Sequence, residues 1–287
     1  MALSGNLKPV DSWLRNNFSS EIARFEPAAG GCINETGTIQ LANGERLFLK
    51  LHPDAPQNFF SAEAVGLEAL RNSTGLRVPE VIHADADFLL LEDLGHGDPV
   101  AEFWQLLGIG LAQLHSTSHQ TYGLEQDNYC GRTWQCNSPS TDGHDFFANN
   151  RIMALAEKAN QMGLLGDDDL QRANRLASNL RDYIPLQPAV LIHGDLWPGN
   201  VHCDNEGHPA LIDPACYRGW AEAELAMTVL FGGFQQDFYR AYENASSIAR
   251  DWRERAPLYN LYHLLNHLIL FGTGYLGQVR NVLDRYV

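Results

Sequence analysis

The chain has 287 residues, a formal net charge of −15, 45 % hydrophobic and 19 % charged residues. That length suits one large domain or two lobes with a sizeable core, and an acidic chain without a basic stripe argues against a nucleic-acid partner. The five cysteines form no C-x-x-C pair, and neither a secretory leader nor a bilayer-length apolar run is evident, so a cytoplasmic protein without a membrane partner is expected.

In residues 1 to 26, Trp13, Leu14, Phe18, Ile22 and Phe25 fall at helical spacing and predict one amphipathic helix. Residues 27 to 51 predict a small antiparallel sheet. Its first loop holds Gly30, Gly31 and Cys32, where backbone N–H groups could approach phosphates closely, a plain hairpin turn being the alternative. Cys32 beside such N–H groups is either an oxidisable thiol or a buried inert one. Asn43-Gly44 marks a hairpin. Lys50, one of three lysines, interrupts the apolar run 46–51. A buried ammonium requires anionic partners, whereas a solvent-facing lysine would not.

The stretch 57–73 predicts a helix carrying Glu63 and Glu68. Glu63, with apolar Phe59, Phe60, Val65 and Leu70 around it, is the chosen partner for Lys50, and Glu68 the solvated one. Strands are expected at Val81-Ile82 and Phe88–Leu91. The sheet then ends at Glu92, Asp93, Leu94 and Gly95, where backbone groups could meet a nucleobase edge. From residue 99 the pattern turns helical, with helices predicted over 99–119, 144–164 and 167–183 and a long loop over 120–143.

The most informative stretch is 190–214. Val190-Leu191-Ile192 reads as a buried strand, followed by a polar loop with His193, Asp195 and Asn200. A turn at 205–207 leads to a second apolar run, 210–212, which delivers Asp213. Asp195 and Asn200 are five residues apart and Asp213 follows thirteen later. This is the spacing of a protein-kinase catalytic loop and its metal-binding aspartate. One carboxylate can accept a hydroxyl proton, while the carboxamide and the second carboxylate hold Mg²⁺ on a nucleotide. Pro214 to Trp220 is a candidate substrate-facing segment, and 252–271 a further helix. Gly272 to Gly277 matches G-x-G-x-x-G but follows a helical pattern, so no dinucleotide site is expected. His263 and His267 lack the glutamate of a zincin and read as core or substrate-pocket residues.

These residues resemble the fructosamine-3-kinase and ketosamine-3-kinase family over roughly 25 to 280. The specific pieces are His193-Gly-Asp-Leu-Trp-Pro-Gly-Asn200, Asp213-Pro-Ala-Cys-Tyr217, Leu230-Phe-Gly-Gly-Phe234 and Tyr259 to His267, with Asp127-Asn128 and Gln135 to Asn137 similar to the family's long loop. The resemblance implies an α+β, two-lobed protein-kinase-like fold. Its small antiparallel-sheet lobe would span 1–91, its hinge 92–95 and its helical lobe 96–287. It also implies ATP and Mg²⁺ as cofactors, and ketoamines, free or on glycated protein lysines, as substrates phosphorylated at the sugar 3-hydroxyl. Asp195 would be the proton acceptor, Asn200 and Asp213 the metal ligands, Lys50 and Glu63 the phosphate lysine and its partner. Gly30, Gly31 and Cys32 would cover the phosphates, Glu92, Asp93 and Leu94 line the adenine, and His193, Trp197, Tyr217, Trp220 and His267 face the substrate. Where the family usually has Arg and Asp, this chain has Ala221 and Glu224, a departure bearing on substrate preference. A small-molecule alcohol kinase of the aminoglycoside or choline type, and a non-catalytic nucleotide-binding protein, are the competing readings.

Overall fold

The computed structural model describes residues 7–28 and 35–287. The expected glycine loop, with Gly30, Gly31 and Cys32, lies outside the described residues. Helix α1 (Lys8–Asn17) precedes a five-stranded antiparallel sheet. Its strands are β1 (Ile22–Pro27), β2 (Glu35–Leu41), β3 (Arg46–Leu51), β4 (Val81–Ala84) and β5 (Phe88–Glu92), in the order β1-β2-β3-β5-β4. Helix α2 (Phe59–Ser73) connects β3 to β4.

The first expectation needs correction: the apolar positions of 1–26 belong to two elements. Ser19 adopts φ +51° and ends the helical path. Ile22 and Phe25 then lie in β1, paired with Leu41 and Ile39. Asp11, whose Oδ1 accepts the Ile22 N–H at 2.9 Å, joins α1 to the strand. A helical spacing that continued across the break was coincidental.

Strand parity explains both faces of this sheet. Leu47, Leu49 and Leu51 of β3, with Phe88 and Leu90 of β5, pack beneath α1 around Val10 and Leu14. Leu89 and Leu91 point the other way, onto Phe60, Leu67 and Leu70 of α2, in a core continuous with the helical part. The unbroken apolar run of β5 thus reflects burial on both sides. Lys50 has the opposite parity to Leu49 and Leu51, which directs it toward α2.

The remainder is mainly helical: α3 (Phe103–Leu114), α4 (Gly143–Phe147), α5 (Ala154–Gln161), α6 (Asp167–Ser178), α7 (Ala221–Leu230), α8 (Gln236–Ala245), α9 (Trp252–Phe271) and α10 (Leu276–Tyr286). A π-helical turn over 148–153 joins α4 to α5. Short strands β6 (Ser118–His119), β9 (Ala189–Ile192) and β12 (Tyr217–Gly219) form one small sheet, ordered β12-β9-β6. The fold is therefore α+β, with a small sheet-based lobe and a larger helical lobe. Among the described residues, no helix is long and apolar enough to cross a membrane.

Two further expectations shift. The 120–143 segment contains a hairpin, β7 (Asn128–Cys130) and β8 (Thr133–Gln135), so it is not loop throughout. The turn at 205–207 does not join β9 to the second apolar run. It closes a separate hairpin of β10 (Val201–Cys203) and β11 (Pro209–Leu211). The polarity of Val201-His202-Cys203 had concealed a strand that is only partly buried.

Candidate active site

Lys50 reaches across from β3 to both lobes. Its Nζ donates to Glu63 Oε1 of α2 and to Asp213 Oδ1, the latter at 2.5 Å. The lysine is 3 % exposed. Burial works against its ammonium, but Asp213 and Glu63 outweigh that and the net shift holds it charged. Burial, opposed by Lys50, raises the Glu63 carboxyl. Glu68 is exposed. The choice of Glu63 over Glu68 therefore agrees with the geometry. The pairing depends on close approach of α2 to the segment after Asp213. Gly66 faces Pro214 and Cys216, where an added Cβ would sit 3.4 Å and 3.5 Å from their side chains, and Cys216 Sγ donates to Gly66 O at 3.5 Å.

The loop after β9 is shaped by its glycine. Gly194 has φ +82°, and a Cβ there would lie 2.2 Å from Ala215 O, so only glycine fits between His193 and Asp195. Side-chain and backbone hydrogen bonds hold the loop around it. His193 Nε2 pairs with Ile212 O at 2.8 Å, and Ala215 N donates to His193 O at 2.9 Å. Asn200, closing a 3₁₀ turn over Pro198–Asn200, donates Nδ2 to Asp195 O at 2.8 Å and to Asp195 Oδ2 at 3.2 Å. The same Nδ2 lies 3.5 Å from Asp213 O. Asp213 itself takes φ +56°, unusual outside glycine, and its side chain is half exposed. Strain of this kind is tolerated where surrounding contacts over-determine it.

Asp195 is half-buried at the surface yet densely surrounded. Burial, with Asp213 and Glu224 nearby and Asn200 opposing, pushes its carboxyl up to about 7. Such a group takes up and releases a proton near neutral pH, as a general base should.

Glu224 was read from sequence as a departure touching substrate preference. Instead it is 1 % exposed, and it clamps the loop from beneath. Its two oxygens accept the His193 and Gly194 N–H groups, the latter at 3.1 Å. It stands on the first turn of α7, beside Glu222, which Arg255 grips with two donors at 2.7 Å. Acidic residues are ordinary in the first turn of a helix. Only burial distinguishes these two.

Three expected substrate contacts are corrected by burial. His193 is 0 %, Tyr217 3 % and Trp220 2 % exposed. His193 serves the loop as described. Trp220 donates to Tyr122 Oη at 3.1 Å. The Tyr217 ring carries the guanidinium of Arg151 at 3.9 Å. Arg151, on the π-helical turn and fully buried, was not singled out from the sequence. It donates to Cys136 O and Asn137 Oδ1, both at 2.7 Å, fixing the β7–β8 hairpin. That hairpin in turn holds the segment after Asp213, for Asn128 Nδ2 donates to Cys216 O at 2.8 Å and Gln135 Nε2 to Ala215 O at 3.2 Å. Trp197 and His267 behave differently. Trp197 is 39 % exposed, two residues past Asp195. Its ring meets Phe231 edge-on, and Phe231 stacks on His267 at 4.8 Å.

At the junction of the lobes, Glu92 pairs with Arg77 and Asp93 Oδ2 with Arg46 Nε at 3.0 Å, while Leu94 O accepts the Asn205 N–H at 2.9 Å. The acidic side chains are thus occupied with arginines. Cys130, Cys136, Cys203 and Cys216 are free thiols.

The sequence pattern of the fructosamine kinase family matches residues 8–287. A "probable ketoamine kinase" of Enterococcus faecium is 35 % identical over 91 % of this chain and 94 % of its own length. The chloroplastic protein-ribulosamine 3-kinase of Arabidopsis thaliana is 31 % identical over 97 % and 87 %. A crystal structure of a candidate fructosamine-3-kinase from Thermobifida fusca superposes with a TM-score of 0.87 at 31 % identity, covering 96 % of this chain and 97 % of that one. More distantly, an ADP-bound aminoglycoside phosphotransferase shares the fold at a TM-score of 0.61 and 13 % identity. A cross-lobe lysine with two carboxylate partners, a loop aspartate poised near neutrality and these relatives converge: the chain is an ATP-dependent kinase belonging to the fructosamine kinase family.

Proposed function

We propose that the protein phosphorylates ketoamines, the ribulosamine, erythrulosamine or fructosamine adducts carried on lysine amines, at the sugar 3-hydroxyl, and that this destabilises the adduct and leads to deglycation. One observation carries the proposal: Asp195, with its carboxyl near neutrality, is oriented by Asn200 beside the Lys50–Asp213 pair, in a chain related to protein-ribulosamine 3-kinase. Residues 1–91 and 96–287 would act as two lobes about a hinge at 92–95, where Glu92, Asp93 and Leu94 present backbone groups to adenine.

In the reaction, the acceptor oxygen attacks the γ-phosphorus, the bond to the bridging oxygen of ADP breaks, and the hydroxyl proton passes to Asp195. Lys50 is held by Glu63 where it can meet the α- and β-phosphates. Asn200 and Asp213 offer oxygen donors, and the half-exposed Asp213 carboxylate faces outward, a set suited to a hard cation such as Mg²⁺. Bound there, Mg²⁺ would offset charge on the phosphates. Glu224 fixes the loop backbone, and therefore the position of Asp195. Trp197 and His267 are the remaining expected substrate contacts.

ADP release assayed against a ribulosamine, an erythrulosamine, a fructosamine and kanamycin tests this reading. Turnover confined to the ketoamines is expected, and turnover of kanamycin alone would replace the proposal with an aminoglycoside-type alcohol kinase.

A further inference from the structure

Asp195 has two neighbours that phosphoryl transfer leaves unused. Cys130 closes β7, and His263 sits midway along α9. The Cys130 sulfur, one ring nitrogen of His263 and one carboxylate oxygen of Asp195 all lie within 4.8 Å of one another, the one such trio of Cys, His, Asp or Glu among the described residues. Cys130 is 3 % and His263 5 % exposed. The Nδ1 of His263 is buried without a hydrogen-bond partner, a costly state unless a ligand relieves it. Asn266, one turn further along α9, donates Nδ2 to Cys130 Sγ at 3.3 Å, an outer contact of the kind that steadies a metal-bound thiolate. Asp195, half-buried, supplies the opening to solvent.

A thiolate, an imidazole and a carboxylate make a mixed donor set of intermediate softness. It suits Zn²⁺ with one position left open, and it does not suit Mg²⁺, which requires oxygen ligands in an octahedron. Zinc bonds of about 2.0–2.3 Å put tetrahedral donors roughly 3.5 Å apart, so the side chains need close in by only roughly 1 Å. The geometry points to an inhibitory Zn²⁺ site formed by Cys130, His263 and Asp195. Zn²⁺ takes the Cys130 sulfur as thiolate, the thiol proton passes to solvent, and the Asp195 carboxylate is withdrawn from the acceptor hydroxyl. The ion and the acceptor hydroxyl claim the same Asp195 oxygen and exclude each other, so inhibition is competitive with the alcohol and not with ATP. That kinetic consequence rests on Asp195 as proton acceptor, whereas the metal site does not.

The test has two arms. Co²⁺ titrated into the metal-free protein should produce a thiolate-to-cobalt charge-transfer band, absent in Cys130→Ser and requiring at least roughly 10-fold more metal in His263→Gln. Under saturating ATP and Mg²⁺, Zn²⁺ should compete with the acceptor. Cys130→Ser should keep near-normal turnover while the inhibitory Zn²⁺ concentration rises at least about 10-fold. No band in the wild-type protein, a band that persists in Cys130→Ser, or unchanged Zn²⁺ sensitivity in both variants would overturn the site. A band lost in the variants together with inhibition that does not compete with the acceptor upholds the site and counts against Asp195 as the base, so the two readings fail separately.

Discussion

Lys50 Nζ lies 2.5 Å from Asp213 Oδ1, joining two residues 163 positions apart. The bond makes Lys50, proposed to meet the phosphates, a stand-in partner for the carboxylate proposed to hold a cation. On that proposal nucleotide entry loosens one contact while it makes another, and Glu63 keeps the lysine in place meanwhile.

Replacing Lys50 by Met leaves Glu63 and Asp213 facing each other without a cation. Turnover should fall roughly 100-fold or more, because a charge aimed at the phosphates is lost. Stability should drop by about 1–3 kcal/mol, less than for a fully enclosed pair since Asp213 is half exposed. Steady-state kinetics and denaturant melts check the two parts separately.

Asp195 sets the expected pH dependence. Its carboxyl lies near 7 in the folded chain, raised from 3.8 chiefly by burial, and only the carboxylate can accept a proton. kcat/KM should rise with pH below about 7 and level off above it. Between the two values the folded state binds more protons than the unfolded one, so stability should fall as pH rises through this window, by at most about 1.4 kcal/mol per unit. Asp195→Asn should abolish that slope and lower turnover by orders of magnitude, with nucleotide affinity little changed. A variant with normal rates refutes Asp195 as the base.

Glu224 acts through the backbone. Glu224→Gln places an N–H₂ group against an N–H donor of His193 or Gly194, so the loop should shift. A displacement near 1 Å can cost about 100-fold in rate. kcat should fall while KM for ATP stays close to normal, and Glu224→Asp should restore part of the loss. Equal KM and kcat effects on ATP would point to general unfolding instead.

Gly66 tests the approach of α2. An alanine Cβ would meet its neighbours at 3.4–3.5 Å, ordinary contact, and helix propensity favours alanine by about 0.5–1 kcal/mol. Gly66→Ala should therefore be neutral or slightly stabilising. Gly66→Leu has no room against Pro214 and Cys216; it should push α2 outward, part Glu63 from Lys50 and raise KM for ATP. A fully active leucine variant would show that this close approach is dispensable.

Much of this site is legible in one dimension because its chemistry is local. Asp195, Asn200 and Asp213 come from a single 19-residue stretch framed by apolar strands, and an isolated lysine within such a strand calls for anionic partners. Glu63 could be preferred to Glu68 because apolar residues surround it. Glu224 and Arg151 could not be found this way. An acid on a first helical turn and an arginine in a helix are ordinary surface residues until packing encloses them.

The sequence by itself determined the change from strands to helices near residue 99, the spacing of the polar loop and the need for Lys50 to find acids, since periodicity, turn chemistry and the cost of burying charge act over short distances; the two-lobed fold class followed from the family resemblance that its motifs carry. Tertiary structure decided which acids answer that need, sent His193, Tyr217 and Trp220 inward, divided the first apolar stretch between α1 and β1, and gathered Cys130 and His263 beside Asp195. Those outcomes depend on which surfaces exclude water once distant segments meet, and no local pattern encodes that.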